Sequence, residues 1–404
     1  MRWRILKKKN YYFLTGFIMS IFLLLAACSS DETSDTPSDN TNTEDKQGVV
    51  NIGFSGPLSG AAALYGERTL SGLQLAFDEI NDSGGFKVGD TNYTVNLVAL
   101  DDKYLPNETA ANAKRLIQEH KTPMIFTPHS GGAMAMQVFN EMDKFIIGAY
   151  TSEPSITQTG NKLTVRIPPK YDGYIEPFTK NMMNLHGKKI AALPTSTQYG
   201  KDWTELLLPY WEEQGGEVVF NSSINFAKDT DFFTIVTNAL NEKPDVMFVG
   251  GPSEPTAKVI KQARELGFEG GFIVMDQAKF DEMEKIIGGY EELEGSVGVF
   301  PLIYSSFPGT KGFIENYSSQ YDFPPGSEAG YNYLAGNLLV EAMKAAGSVD
   351  DATKIYEHFA EGISNLPEEK QVYVPTGIDK DGGIESKVRY GAIEDGKVVE
   401  KPIE

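Results

Sequence analysis

The chain has 404 residues, with 56 acidic against 36 basic side chains, a formal net charge of −20, one cysteine, 41% hydrophobic and 23% charged residues. That length suits two domains of roughly 150 residues or more, with enough apolar content for real cores. The negative surplus repels a phosphate backbone and argues against nucleic-acid binding, because the basic cluster is confined to the first nine residues; the lone cysteine excludes an internal disulfide and a thiolate metal cluster.

Arg2, Arg4, Lys7, Lys8 and Lys9 precede an apolar run over residues 11–25, closed by the small residues Ala26 and Ala27. This order is that of a secretory signal peptide over residues 1–27, too short to be a comfortable membrane span. Leu25-Ala26-Ala27-Cys28 resembles the bacterial lipobox. That resemblance implies cleavage before Cys28 and acylation of its thiol, which ties the chain to the lipid bilayer; a chance cysteine after an ordinary signal is the other reading. Residues 28–48 are rich in Ser, Thr, Asp and Asn and read as a disordered tether.

From residue 49, short β-rich runs alternate with amphipathic stretches. A strand is predicted over 49–54, after which Leu70, Leu73, Phe77 and Ile80 mark one face of a helix ended by Gly84-Gly85. A strand over 93–100, a helix capped by Asn107, a strand over 124–127, a helix over 133–142 and a strand over 145–149 follow. Such a train implies a parallel sheet with helices on both faces. The plan repeats, with strands over 189–193, 218–221, 245–249 and 271–275 and helices over 203–214, 232–240 and 256–266. Extended, proline-bearing segments over 166–169 and 297–301 read as crossovers between two α/β domains. A helix over 331–346 is expected to return to the first domain, and Asp379-Lys380-Asp381-Gly382-Gly383 marks the turn of a C-terminal hairpin.

Catalytic patterns are sparse. Gly53-Phe54-Ser55-Gly56-Pro57 and Gly251-Pro252-Ser253-Glu254-Pro255 lack the final glycine of a nucleophile elbow. No phosphate-binding glycine loop is present, and His120, His129, His186 and His358 have no metal-ligand spacing. A protein without catalysis, cofactor or metal is expected.

In open parallel sheets ligands sit at the carboxyl ends of the strands, so the loops there carry the candidates. They hold Tyr65, His129 and Ser130, Tyr150-Thr151-Ser152, Tyr199 and Asp276. The loops at 127–132 and 150–154 put hydroxyls and bare N–H groups at helix starts, a setting suited to a carboxylate.

Gly56-Pro57-Leu58-Ser59-Gly60, Tyr65-Gly66, Asp78-Glu79-Ile80-Asn81, Asp101-Asp102, Gln198-Tyr199-Gly200, Pro244-Asp245 and Gln262-Ala263-Arg264-Glu265-Leu266-Gly267 occur in order along residues 49–404. Together they resemble the leucine/isoleucine/valine-binding family of ABC-transporter solute-binding proteins. The resemblance implies an α/β, type I periplasmic-binding-protein fold, with two doubly wound parallel-sheet domains joined by a three-segment hinge. One domain would span residues 49–168 plus 300–372, the other 169–299 plus 373–404. It further implies an extracytoplasmic lipoprotein, a monomer, that captures an amino acid or amino-acid-like solute by hinge closure and delivers it to ABC permease membrane subunits. A ligand-sensing receptor of the same fold and a surface hydrolase are the alternatives.

Carried over by position, the family's carboxylate-binding loop falls on His129-Ser130 and its second hydroxyl on Ser152. Thr151 would offer a carbonyl and Asp276 a carboxylate to an ammonium, with Tyr65 and Tyr199 as walls. Three positions depart from the pattern: His129 stands where a small residue is usual, Pro252 where an aromatic is frequent, and Asp276 is one methylene shorter than glutamate. Structural uses stay open for the same side chains. Tyr65 and Tyr199 suit packing on the sheet, Ser152 a turn cap, Asp276 an ion pair, and His129 a ring turned away from the ligand.

Overall fold

In the computed structural model, which describes residues 46–60, 62–226, 228–386 and 389–401, the β-branched and aromatic runs assemble into two large sheets. The expected signal peptide, Cys28 and the tether up to residue 45 lie outside the described residues. The last three tether residues are instead strand: β1 (Lys46–Gly56) pairs in parallel with the backbone from Thr91 onward. Backbone pairing needs no apolar side chain, so composition gave no sign of it.

The first sheet is built from β1, β2 (Phe86–Val88), β3 (Thr91–Asp101), β4 (Met124–Thr127), β5 (Ile146–Ala149) and β6 (Thr164–Arg166). Between them run α1 (Ala63–Asp82), α2 (Pro106–His120), α3 (Ser130–Gln137), the short α4 (Asn140–Asp143) and α5 (Ser155–Gln158). The strand order is β2-β3-β1-β4-β5-β6, parallel except for the β2–β3 hairpin. The winding reverses at β1, which lies between β3 and β4, and that reversal opens a crevice at the carboxyl ends of β1 and β4.

After α6 (Asp172–Leu185) the second sheet repeats the plan with β7 (Lys189–Pro194), α7 (Gln198–Glu213), β8 (Glu217–Asn221), α8 (Phe233–Asn241), β9 (Val246–Gly250), α9 (Ser253–Glu265), β10 (Gly271–Val274), α10 (Phe280–Ile287) and β11 (Ser296–Val299). The chain then returns to the first lobe through α11 (Thr310–Gln320), α12 (Ser327–Ala346), α13 (Ala352–Glu357) and α14 (Phe359–Asn365). A hairpin of β12 (Pro375–Ile378) and β13 (Ile384–Ser386) precedes β14 (Tyr390–Glu394) and β15 (Lys397–Lys401). The second order is β15-β14-β11-β10-β9-β7-β8, with β14 and β15 antiparallel, so both sheets are mixed at an edge rather than wholly parallel. Three crossings, after β6, after β11 and between β13 and β14, join the lobes.

The first core centres on α12, buried on nearly every face and pressed against α1. Gly72 permits that approach, because a Cβ there would lie 2.1 Å from the Ala329 carbonyl oxygen. Leu73 and Phe77 of α1 and Leu338 and Leu339 of α12 are fully shielded, each worth about 1.5–3 kcal/mol in burial.

Several boundaries differ from expectation. Helix α2 starts at Pro106, with Leu105 rather than Asn107 at the cap, because proline's fixed φ suits a first helical turn. The helix expected over 133–142 is two pieces, α3 and α4. Residues 373–386, expected with the second domain, pack on the first: Ile384 lies in its core and the Arg166 N–H donates to the Gly382 carbonyl at 3.0 Å.

Candidate functional site

The chain leaves β4 through His129, whose extended backbone ends the strand and whose ring caps α3. Its Nδ1 accepts the Gly132 N–H at 3.0 Å. A nitrogen that accepts carries no proton, so the hydrogen sits on Nε2, 3.0 Å from the Asp102 carboxylate. Thr109 also donates to Asp102, at 2.9 Å. Both ring nitrogens are thus used inside the first lobe. The adjacent Ser130 Oγ lies 2.7 Å from Thr151 Oγ1 in the loop after β5, and the first N–H groups of α3 have no intrahelical acceptor.

From the second lobe, α7 begins five residues ahead of expectation. Thr197 caps it by accepting the Gly200 N–H at 3.4 Å, which places Tyr199 in the first turn. Asp276 follows the buried end of β10. Its carboxylate accepts from Tyr199 OH, from Trp203 Nε1 at 3.1 Å and, across the cleft, from Ser152 Oγ. Ser152 Oγ and Tyr199 OH are 2.7 Å apart. Three donors leave about one acceptor position on the two carboxylate oxygens. The Lys279 ammonium is occupied by the carbonyls of Asp276 at 2.7 Å and Gln277 at 2.9 Å.

These groups surround a cavity of about 50 Å³ between the lobes. Tyr65, His129, Ser130, Tyr150, Thr151, Ser152, Tyr199 and Asp276 all line it. So do Tyr104, Tyr174, Gln277, Lys279, Ser327 and Tyr331, which sequence reasoning missed. Tyr104 follows β3, so the strand-end rule was a signal for it; Tyr331 arrives on α12, about 180 residues past Tyr150 in the chain, without a local signal. Tyr65 OH donates to the Pro128 carbonyl at 2.8 Å, and the rings of Tyr65, Tyr150 and Tyr331 follow one another at 6.2 and 6.1 Å. Burial holds the phenols of Tyr65, Tyr150, Tyr174 and Tyr199 well above their ordinary pKa and pushes Tyr104 up to about 12, so all are neutral near pH 7. The cavity offers aromatic faces, hydroxyls and one carboxylate. Among the described residues no group of three or more His, Cys, Asp or Glu side chains is placed to hold a metal ion.

Comparison with known proteins agrees with this geometry. The family described as periplasmic binding protein matches residues 49–397. An amino acid binding protein of Pseudomonas aeruginosa is 25% identical over 306 residues, covering 75% of this chain and 80% of its own. The crystal structure of a leucine binding protein, LivK, from Thermotoga maritima superimposes with a TM-score of 0.74 at 25% identity, over 87% of this chain and 98% of that one. An ABC transporter solute binding protein from R. palustris in complex with benzoate gives 0.73 at 20% identity, over 87% and 95%.

Proposed function

The chain belongs to the periplasmic binding protein family, and on that premise we propose that it captures an amino acid or amino-acid-like solute for an ABC importer. The family is solute-binding and non-enzymatic, so the surface-hydrolase alternative falls away. In this proposal Cys28 is acylated and moors a monomer outside the cell membrane, and the two lobes close about their three crossings before delivery to the permease subunits.

The observation that carries the amino-acid reading is Asp276, a carboxylate placed directly after a buried strand and facing a tyrosine-walled cavity. A solute ammonium supplies its missing charge partner, at a worth of about 1.5–3 kcal/mol. The solute carboxylate meets Ser130 and the start of α3, and the tyrosines take the side chain. A benzoate, as held by the R. palustris protein, brings no cation to Asp276.

Calorimetry and thermal shift with the twenty amino acids and benzoate test the proposal. The expected result is saturable one-to-one binding of an α-amino acid and no response to benzoate. Binding of benzoate alone would replace the amino-acid reading. Metabolic labelling with palmitate, lost in Cys28→Ser, tests the anchor.

A further inference from the structure

A second cavity abuts the first. It encloses about 250 Å³ between the loops after β1 and β3 of the first lobe and those after β7, β8 and β9 of the second. Tyr104 lines both cavities and stands as the wall between them. Its backbone is left-handed, φ +65°, directly after Lys103 at φ +55°, an uncommon conformation for two successive side-chain-bearing residues. Its ring lies 4.8 Å from that of His129, and its OH accepts from Gln277 Nε2 across the cleft at 3.0 Å.

One buried polar atom beside this wall lacks a partner: Gln277 is 7% exposed and its Oε1 has no hydrogen bond. Thr195, itself 3% exposed, lines the outer cavity. The outer cavity also favours negative charge. Helices α1, α7 and α9 all start at its walls, α1 and α9 without a side-chain cap, and Lys103 lies beside them. Asp101, at the rim, is already bonded by Ser59 Oγ and by the N–H groups of Leu58 and Lys103. Phe226 adds an apolar face.

The inner cavity, lined by Asp276 and Ser130, and the outer one, lined by these helix starts, meet at Tyr104 beside His129. Resting on the amino-acid reading above, we propose that the outer cavity binds the second residue of a dipeptide whose first residue occupies the inner one. The peptide N–H donates to Gln277 Oε1, the first carbonyl meets Ser130, and the terminal carboxylate accepts from Thr195 and the helix starts. The free carbonyl of Gln277 then has a partner.

Calorimetry on the full chain compares leucine and tyrosine with leucyl-alanine and tyrosyl-alanine. Each dipeptide should bind at least tenfold tighter than its free amino acid. Ser196→Trp, which fills the outer cavity, should remove that advantage and leave amino-acid affinity within twofold; Thr195→Val, which keeps the shape, should reduce it several-fold. Dipeptides no tighter than amino acids, or an advantage untouched by both variants, would overturn the outer site alone. Silence from amino acids and dipeptides alike would overturn the amino-acid reading with it.

Discussion

Arg68 on α1 and Glu282 on α10 form an ion pair across the cleft, both side chains more than nine-tenths buried. Around them Lys279 stands 3.7 Å from Glu328 of α12, Asp281 is buried on α10, and Ser253 Oγ donates to Glu282 at 2.5 Å. Three carboxylates therefore meet two cations where the lobes touch. Burial, and then the Glu328 carboxylate, push Glu282 up to about 8 and Asp281 up to about 6. Elsewhere in the cleft, Glu153 after β5 meets Asp202 of α7; burial, and then Asp202, push Glu153 up to about 7.

On the closure proposed above, opening would return these carboxyls to water and their ordinary values, so the closed form would hold protons that the open form releases. A carboxyl raised in the closed form favours closure below its ordinary pKa, and that contribution is lost as pH rises through the raised value. Solute affinity should fall between about pH 5 and pH 9, by at most about tenfold per pH unit for each proton. Glu282→Gln combined with Glu153→Gln should flatten the profile. An affinity that climbs with pH in the unaltered chain would contradict this.

Asp276→Asn keeps the shape of the site and removes the charge. Affinity for the bound amino acid should drop at least tenfold, about 1.4 kcal/mol, by calorimetry. Unchanged affinity would take Asp276 out of solute binding.

His129→Ala tests a structural part for the ring. It removes the α3 cap and a donor to the buried Asp102, so urea unfolding should show a loss of about 2 kcal/mol. Solute affinity should fall less than in Asp276→Asn. A loss of affinity equal to that variant, with stability intact, would instead place the ring on the solute.

Two glycines should respond with opposite sign to alanine. Gly72→Ala drives a methyl into the Ala329 carbonyl between α1 and α12 and should cost about 1–3 kcal/mol. Gly312→Ala, in α11 with nothing near its added methyl, should stabilise by about 0.5 kcal/mol. Thermal denaturation reads both.

The alternation of strand and helix was legible along residues 49–149 and 189–275, because hydrophobic periodicity is a local property and each run carries its own period. Helices α6 and α10 were not read from it, and β11, a strand of the second sheet, overlaps the segment taken for a crossover. The strand-end rule led from there to the loops bearing Ser130, Ser152, Tyr199 and Asp276 without any knowledge of contacts. Less was legible where a feature depends on a distant partner. Lys46 to Gly48 look like tether by composition, yet they pair with Thr91 to Tyr93 through backbone groups alone.

By itself, then, the sequence determined two wound sheets, the loops at their carboxyl ends and the residue types those loops present. Only the tertiary structure decided how they are used. His129 turns to Asp102 27 residues away, Ser152 reaches Asp276 across 124 residues, and Tyr331 joins the wall from α12. The hairpin β12–β13 likewise settles on the first lobe against Arg166. Periodicity records which face of an element is buried; which side chains then meet across a cleft is set by the packing of elements far apart in the chain, and no local pattern encodes it.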